Sequence, residues 1–400
     1  MAVLITTALL LVRQWDNSMT ASKIVAAAAS GAGGGANLDV DDVFSTFLLQ
    51  STSLGVSETV SNGIDLSGEG GLVWSKARDG AGSHILVDTD RGASDCIFSD
   101  TTGAEVNINT ITTAFYSDGF ESGSWINSGG TATDYVSWTW RKAPKFFDVV
   151  TYTGNGTAGR EIAHNLGATV GFMTIKKTSQ TGDWLSFHRS ATGKWLTLNG
   201  TDAATTNLAA EIFGDDSSYI PPSSTVFTVG SESSVNSNGQ TYVAYLFAHN
   251  DSGDGGFGPD GDQDVIKCGS YTGNNSLTGP SVNLGFEPQF VLLKRATGGA
   301  GSWFMMDAMR GITSGITNGD KYFQTNYGVS EQQDNFIKLT ANGFDVESTN
   351  SAINNSGDTY IFMAIRRGPL AAPTDATKVF DVEIGGSSVA DNALATTTGF

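Results

Sequence analysis

The sequence predicts an all-β protein: tandem β-sandwich domains, jelly-roll or concanavalin-like, behind a short flexible N-terminal segment. Three observations lead there. The run FDVVTYTGNG at 147–156 returns as VIKCGSYTGNN at 265–275, so Tyr152 and Tyr271 lie 119 positions apart, a domain-sized spacing. Charged residues are only 16% of the chain and Gly numbers 50, a balance that suits short strands joined by turns rather than helices. The apolar segments are short, β-branched and aromatic, with turn signals on both sides, as in EPQFVLLKRATGG. Such runs read as strands buried on both faces or in a sandwich core. A barrel is the alternative.

The repeat holds at further anchors. FMTIK (172–176) corresponds to FVLLK (290–294), and TYVAYLF (241–247) to TYIFMAI (359–365), with 66 residues from lysine to tyrosine in both copies. The same skeleton occurs earlier as LVWSK (72–76) and DYVSWTW (134–140), where that step is 59. Equal spacing predicts one topology for copies two and three, with Phe172, Ile175, Phe290 and Leu293 in the core. The organisation that follows is an N-terminal extension with a short helix and a Gly-rich tether (1–38), β-domain copy one (39–144) and copy two (145–250). Then come an acidic Gly/Asp linker (251–264), copy three (265–369) and a linker (370–378), a boundary marked by RRGPLAAPTDAT, where Pro369 and Pro373 cannot donate to a sheet ladder. A fourth copy begins at VFDVE and covers 379–400, so the chain reads as a truncated piece of a longer protein. Copy one departs at LLQSTS (48–53), which replaces the tyrosine-glycine turn.

Before copy one, SGAGGGAN (30–37) is a tether, and Thr20 or Ser22 would cap a short helix over the alanine run. MAVLITTALLLV is shorter than the roughly 20 residues a membrane-spanning helix needs. It also lacks the charged start of a secretory signal, and Met19 reads as the true start.

The net charge of −19 excludes nucleic acid and anionic membranes as partners, and no membrane insertion is expected. Cys96 and Cys268 sit in different copies and are expected as buried free thiols. His84, His164, His188 and His249 stand alone, without metal spacing, and no catalytic motif is present. Glycosidase chemistry needs two carboxylates facing one cleft. The nearest pairs are Asp88 with Asp90, and Asp381 with Glu383. Asp88 recurs as Asp307, each three residues before an arginine (Arg91, Arg310), so a structural pair fixing a loop is expected instead. In copy two Arg189 keeps the arginine's place but Ser186 takes the aspartate's. No catalytic residue and no cofactor are assigned. NDSGDGGFGPDGDQD (250–264) opens like a calcium loop but lacks its glycine and terminal glutamate; Asp251, Asp254, Asp260 and Asp262 remain the calcium candidates, with a solvated linker as the plainer expectation. The polar segments 196–220 and 311–333 are expected to be surface loops, with Trp195 and Tyr219 as candidate contacts.

The succession SKIVAAAASGAGGGANLDVDDVFSTFL, NGIDLSGEGGLVWSKARD, DYVSWTWRKAPKFFDVVTYTGNG, IAHNLGA, TYVAYLFAHN, VIKCGSYTGN, LGFEPQFVLLKR and TYIFMAIRR resembles the tandem-domain virion structural proteins, often labelled tail-fibre proteins, of marine podoviruses and cyanophages. The resemblance runs from about Ser22 to the end. It implies a phage particle component without catalytic residues, assembled in the host cytoplasm and located in the virion. Its implied partners are other virion proteins and a host-surface glycan or protein, with a homo-oligomer, a trimer by default for a fibre. Two other classes stay open from the residues: a glycan-degrading enzyme on a concanavalin-like sandwich, and a cellular surface adhesin. On the fibre reading, linked copies extend reach and raise avidity.

Overall fold

Copies two and three are built on one plan. In copy two the strands run in the order Phe147–Thr153, Thr241–Ala248, Val170–Lys177, Trp184–His188 and Leu196–Thr197 across one sheet. In copy three the order is Ile266–Thr272, Thr359–Arg366, Pro288–Arg295, Trp303–Asp307, Asp320–Gln324 and Gln332–Asp334. Copy one repeats it with Phe44–Gln50, Asp134–Arg141, Gly71–Ala77, Ile85–Asp88, Asp95–Phe98 and Val106–Asn107. Each copy adds a smaller sheet, such as Ser281–Asn283, Gly343–Val346 and Ile337–Thr340 in copy three. The computed structural model describes residues 37–50, 56–124, 134–312 and 319–368, and their strand pairs are antiparallel. The protein is all-β, with only short helical turns between strands. The N-terminal extension to residue 36, the linker 370–378, the fourth copy and Asp381 with Glu383 lie outside the described residues.

The register explains the Tyr-Thr-Gly-Asn motif. Tyr152 pairs with Tyr242 and Tyr271 with Tyr360 across adjacent strands. Their rings stack at 5.0 and 5.1 Å, within 14° of parallel, a contact worth about 0.5–1.5 kcal/mol beyond its area. The Tyr152 hydroxyl donates to the Val235 carbonyl and that of Tyr271 to Ile353, tying each strand to a one-turn helix, Ser233–Asn236 or Ser351–Asn354. The glycine is required because its backbone lies against the chain just past that helix. A Cβ on Gly154 would sit 2.2 Å from the Ser237 carbonyl oxygen, and one on Gly273 2.2 Å from that of Asn355. The asparagine N–H then donates to the side chain of Asn236 or Asn354. In copy one Leu49 faces Tyr135 at the same register position, so the first tyrosine is replaced but its strand is kept.

Side-chain alternation then sorts the core. In copy three Phe290, Leu292, Trp303, Met305, Ile361 and Met363 enter a large cluster shared with the other two copies. Their neighbours Val291, Leu293, Phe304, Met306, Tyr360 and Phe362 enter a cluster private to copy three, beneath its smaller sheet. In copy one Leu72 and Trp74 face the shared cluster while Val73 faces a private one. The shared cluster is rich in rings: Trp140 of copy one meets Phe247 of copy two at 5.9 Å and Phe290 of copy three at 5.7 Å. Copies one to three therefore pack as one unit from Leu38 onward, not as separate modules on flexible tethers. Residues 251–264 form an ordered turn rather than a solvated linker. Phe257 is buried against Phe146, Asn250 accepts from the backbone of Val265 and Ile266, and Gly258 donates to Leu38. The chain enters and leaves side by side, since a Cβ on Gly368 would touch the Asp41 carboxylate.

One shared cluster predicts one cooperative transition. Calorimetry of the whole chain should show a single unfolding peak, and Gly273→Ala should shift all of it, costing roughly 1–3 kcal/mol by overpacking. Gly80→Ala, where a Cβ meets nothing within 4 Å, should change it little. Separate transitions for the copies would contradict the shared core.

Candidate functional site

A lysine inside an apolar strand must find acceptors when it is buried. Lys76, Lys176 and Lys294 are all at 0% exposure. The Lys294 Nζ donates to the carbonyls of Thr201 (2.9 Å) and Asp202 (2.9 Å) in copy two, and to Gly301 (2.6 Å) in its own copy. Lys176 donates to Thr102 of copy one (3.2 Å), to Lys177 (3.0 Å) and to Gly182 (2.9 Å). Lys76 donates to Ala77 and stands 5.0 Å from the centre of the Phe323 ring of copy three. Two backbone bonds complete each joint in one register. Gly182 and Glu105 bond Thr102 and Thr178, Gly301 and Ala204 bond Thr201 and Ala296, and Gly82 and Glu331 bond Gly328 and Arg78. Two residues beyond the glycine, Trp184 donates to Phe98 and Trp303 to Thr197, while the His84 ring meets the Gln324 carbonyl. The joints close a ring: copy two on one, three on two, one on three.

The repeated aspartates belong to the same ring. Asp307 accepts from Arg310 Nε at 2.5 Å, from the Arg310 backbone N–H at 2.9 Å and from Trp138 Nε1 of copy one at 3.0 Å. Asp88 accepts from Arg91 Nε at 2.6 Å and from the Tyr245 hydroxyl of copy two at 2.7 Å. Trp138, Tyr245 and Met363 hold the same place in their copies, three residues before the strand ends Arg141, Ala248 and Arg366. Met363 has no side-chain hydrogen to donate, and copy two holds His188, not Ser186 as the sequence suggested, at the aspartate's register position: its Nδ1 accepts the Ser190 N–H and its Nε2 lies 3.0 Å from the Phe362 carbonyl of copy three, while Ser186 turns its hydroxyl to Thr174. An unpartnered buried carboxylate is avoided. The structural pair expected from the sequence is therefore present in two copies and also reaches into a neighbour, which spacing alone did not reveal.

Asp90 is not brought into a cleft with Asp88. Both of its oxygens take Lys142 Nζ at 3.1 Å, and Asp88 is fully buried. Of the calcium candidates, Asp251 pairs with Lys267 at 3.4 Å and Asp254 accepts from the Asp251 backbone. No three acidic, histidine or cysteine side chains converge among the described residues. Cys96 and Cys268 are buried free thiols. Each histidine has an acceptor role in the scaffold, His164 for Leu166, His188 for Ser190, His249 for Cys268 and His84 for Trp74. Trp195 and Tyr219 pack on the shared cluster, and the Tyr219 phenol is pushed up to about 12 by burial. Segments 196–220 and 311–333 supply Thr201, Ala204, Thr325, Gly328 and Glu331 to the joints, so much of each is committed to packing between copies.

A family model described as a domain of unknown function (DUF7483) matches residues 42–369, a span that takes in all three copies. No curated protein and no solved structure matches the chain.

Burial lowers the pKa of Lys76, Lys176 and Lys294 from 10.5 to about 8. Below pH 8 a lysine is protonated in both folded and unfolded chains. Between pH 8 and 10.5 the unfolded chain binds more protons, so each lysine's contribution makes stability rise with pH across that window. Urea midpoints at pH 7.5, 9 and 10 should show the parent gaining on Lys294→Met by roughly 2 kcal/mol. A difference independent of pH would show that the carbonyls hold the ammonium charged.

Proposed function

We propose, on the premise that the chain belongs to the DUF7483 family, that it is a non-enzymatic structural component of a phage virion, a tail-fibre part contributing to host-surface adhesion. The ordered set of motifs that resembles virion structural proteins supports the particle assignment. The observation that carries the structural role is the placement of Asp88, Asp307, Arg91 and Arg310. They are the repeated charged residues best suited to chemistry, and they clasp one copy to another. With the copies locked in a ring, adhesion falls to one rigid surface rather than to three independently tethered modules. Rigid presentation lowers the ordering cost of binding.

The test uses the phage whose genome encodes the chain. Mass spectrometry of purified particles should detect the protein, antibodies against it should block attachment, and the purified chain should release no reducing sugar from host polysaccharide. Absence from the particle would remove the virion assignment. Steady sugar release abolished by changing one carboxylate pair would move the protein to the glycan-degrading class, and presence on a cellular surface instead would make it an adhesin of that cell.

A further inference from the structure

Copy one has a polar interior where the other copies are apolar. On its larger sheet Ser75 pairs with Ser137 across adjacent strands, and alternation turns both to the private side with Val73. The same two places pair Ile175 with Ala244 in copy two and Leu293 with Phe362 in copy three. On the smaller sheet Thr112 pairs with Ser122, where copy three pairs Ile337 with Val346. All four hydroxyl residues of copy one are buried, at 1 to 4% exposure. In copy three the four apolar counterparts belong to one cluster. In copy one that interior is broken in two, with Val60, Val73 and Phe120 in one part and Ile85, Val87 and Ile111 in the other. The Ser137 and Ser122 hydroxyls have no hydrogen-bond partner among the described residues. Asn62 and Ser99, buried in the same copy, are satisfied by Thr139 and by the Thr325 carbonyl.

We propose that copy one holds ordered water between its two sheets, bonded to Ser137 and Ser122, and that its smaller sheet is in consequence the first part of the body to open. Serine in place of Leu293, Phe362 and Val346 shortens three side chains that share one cluster in copy three, so apolar contact alone does not fill the space between the sheets. A dry gap there would forfeit packing contacts and leave both hydroxyls unpaired. Apolar cavities stay empty, but a polar one takes water that finds about two to four partners. Ser75 and Thr112, paired directly with Ser137 and Ser122, add two further hydroxyls to the same interior. The substitution also weakens cohesion, because the smaller sheet of copy one rests on two minor apolar clusters and that of copy three on one continuous cluster. Openings short of global unfolding begin where buried apolar contacts are fewest. The inference goes beyond the virion reading and does not depend on it.

The test uses the whole chain. A high-resolution crystal structure should place water within hydrogen-bond distance of the Ser137 and Ser122 hydroxyls, and none among Leu293, Phe362 and Val346. In urea unfolding, Ser137→Ala and Ser122→Ala should each lower the folding equilibrium constant about fivefold, since each removes a bond made to that water. Were the hydroxyls dry, the same variants would relieve an unpaired group and raise it. Hydrogen exchange over Gly119–Ser122 should run about tenfold faster than over its counterpart Gly343–Val346. A dry interior, a protein group seated on both hydroxyls, or alanine variants of unchanged or increased stability would overturn the water site. Equal exchange in the two copies would overturn the early opening.

Discussion

A strand buried on both faces needs two apolar partners, and a single copy of this repeat supplies only one. In copy three the smaller sheet covers Val291, Leu293, Phe304 and Phe362. Phe290, Leu292, Trp303 and Ile361 on the opposite face are covered only by joining the common cluster. At roughly 25 cal/mol per Å² of apolar surface removed from water, such a face strongly opposes separation of the copies. Most of the remaining architecture follows from closing that cluster. The lysines, the backbone joints and the aspartate clasps satisfy the polar groups that closure would otherwise leave dry.

The copies are similar but not identical, and their differences are paired. Where the neighbour offers Tyr245 or Trp138, the facing position is an aspartate; where it offers Met363, the position is His188, whose Nε2 meets the adjacent Phe362 carbonyl. Donor and acceptor change together because a lone buried carboxylate costs far more than a satisfied neutral imidazole. The first tyrosine of the stacked pair behaves likewise. Leu49 can replace it in copy one because the register with Tyr135 is set by the strand ladder and not by the ring.

Much of this was legible in the residues. The spacing of Tyr152, Lys176 and Tyr242 against Tyr271, Lys294 and Tyr360 gives the common topology, because strand register is fixed by side-chain period and turn length. The two-sided burial was readable from unbroken apolar runs such as FVLLK. What spacing could not give was the partner on the second face, since periodicity reports that a face is buried and not what buries it. A signal was present all the same: a lysine recurring at the end of a fully apolar run is costly unless carbonyls converge on it, and those carbonyls came from a neighbouring copy in two of three cases. The Asp–Arg pairs were visible as local features, while their cross-copy donors, more than 150 residues away in sequence, were not.

Adjacent entry and exit have a mechanical consequence. Because Asp41 and Gly368 lie side by side, a pull applied at these two points loads neighbouring segments at one edge of the body and is not transmitted across its width. The body behaves as a pendant on the chain rather than a link in it. Three repeats in series therefore add bulk and surface beside the chain's path, but almost no contour length along it.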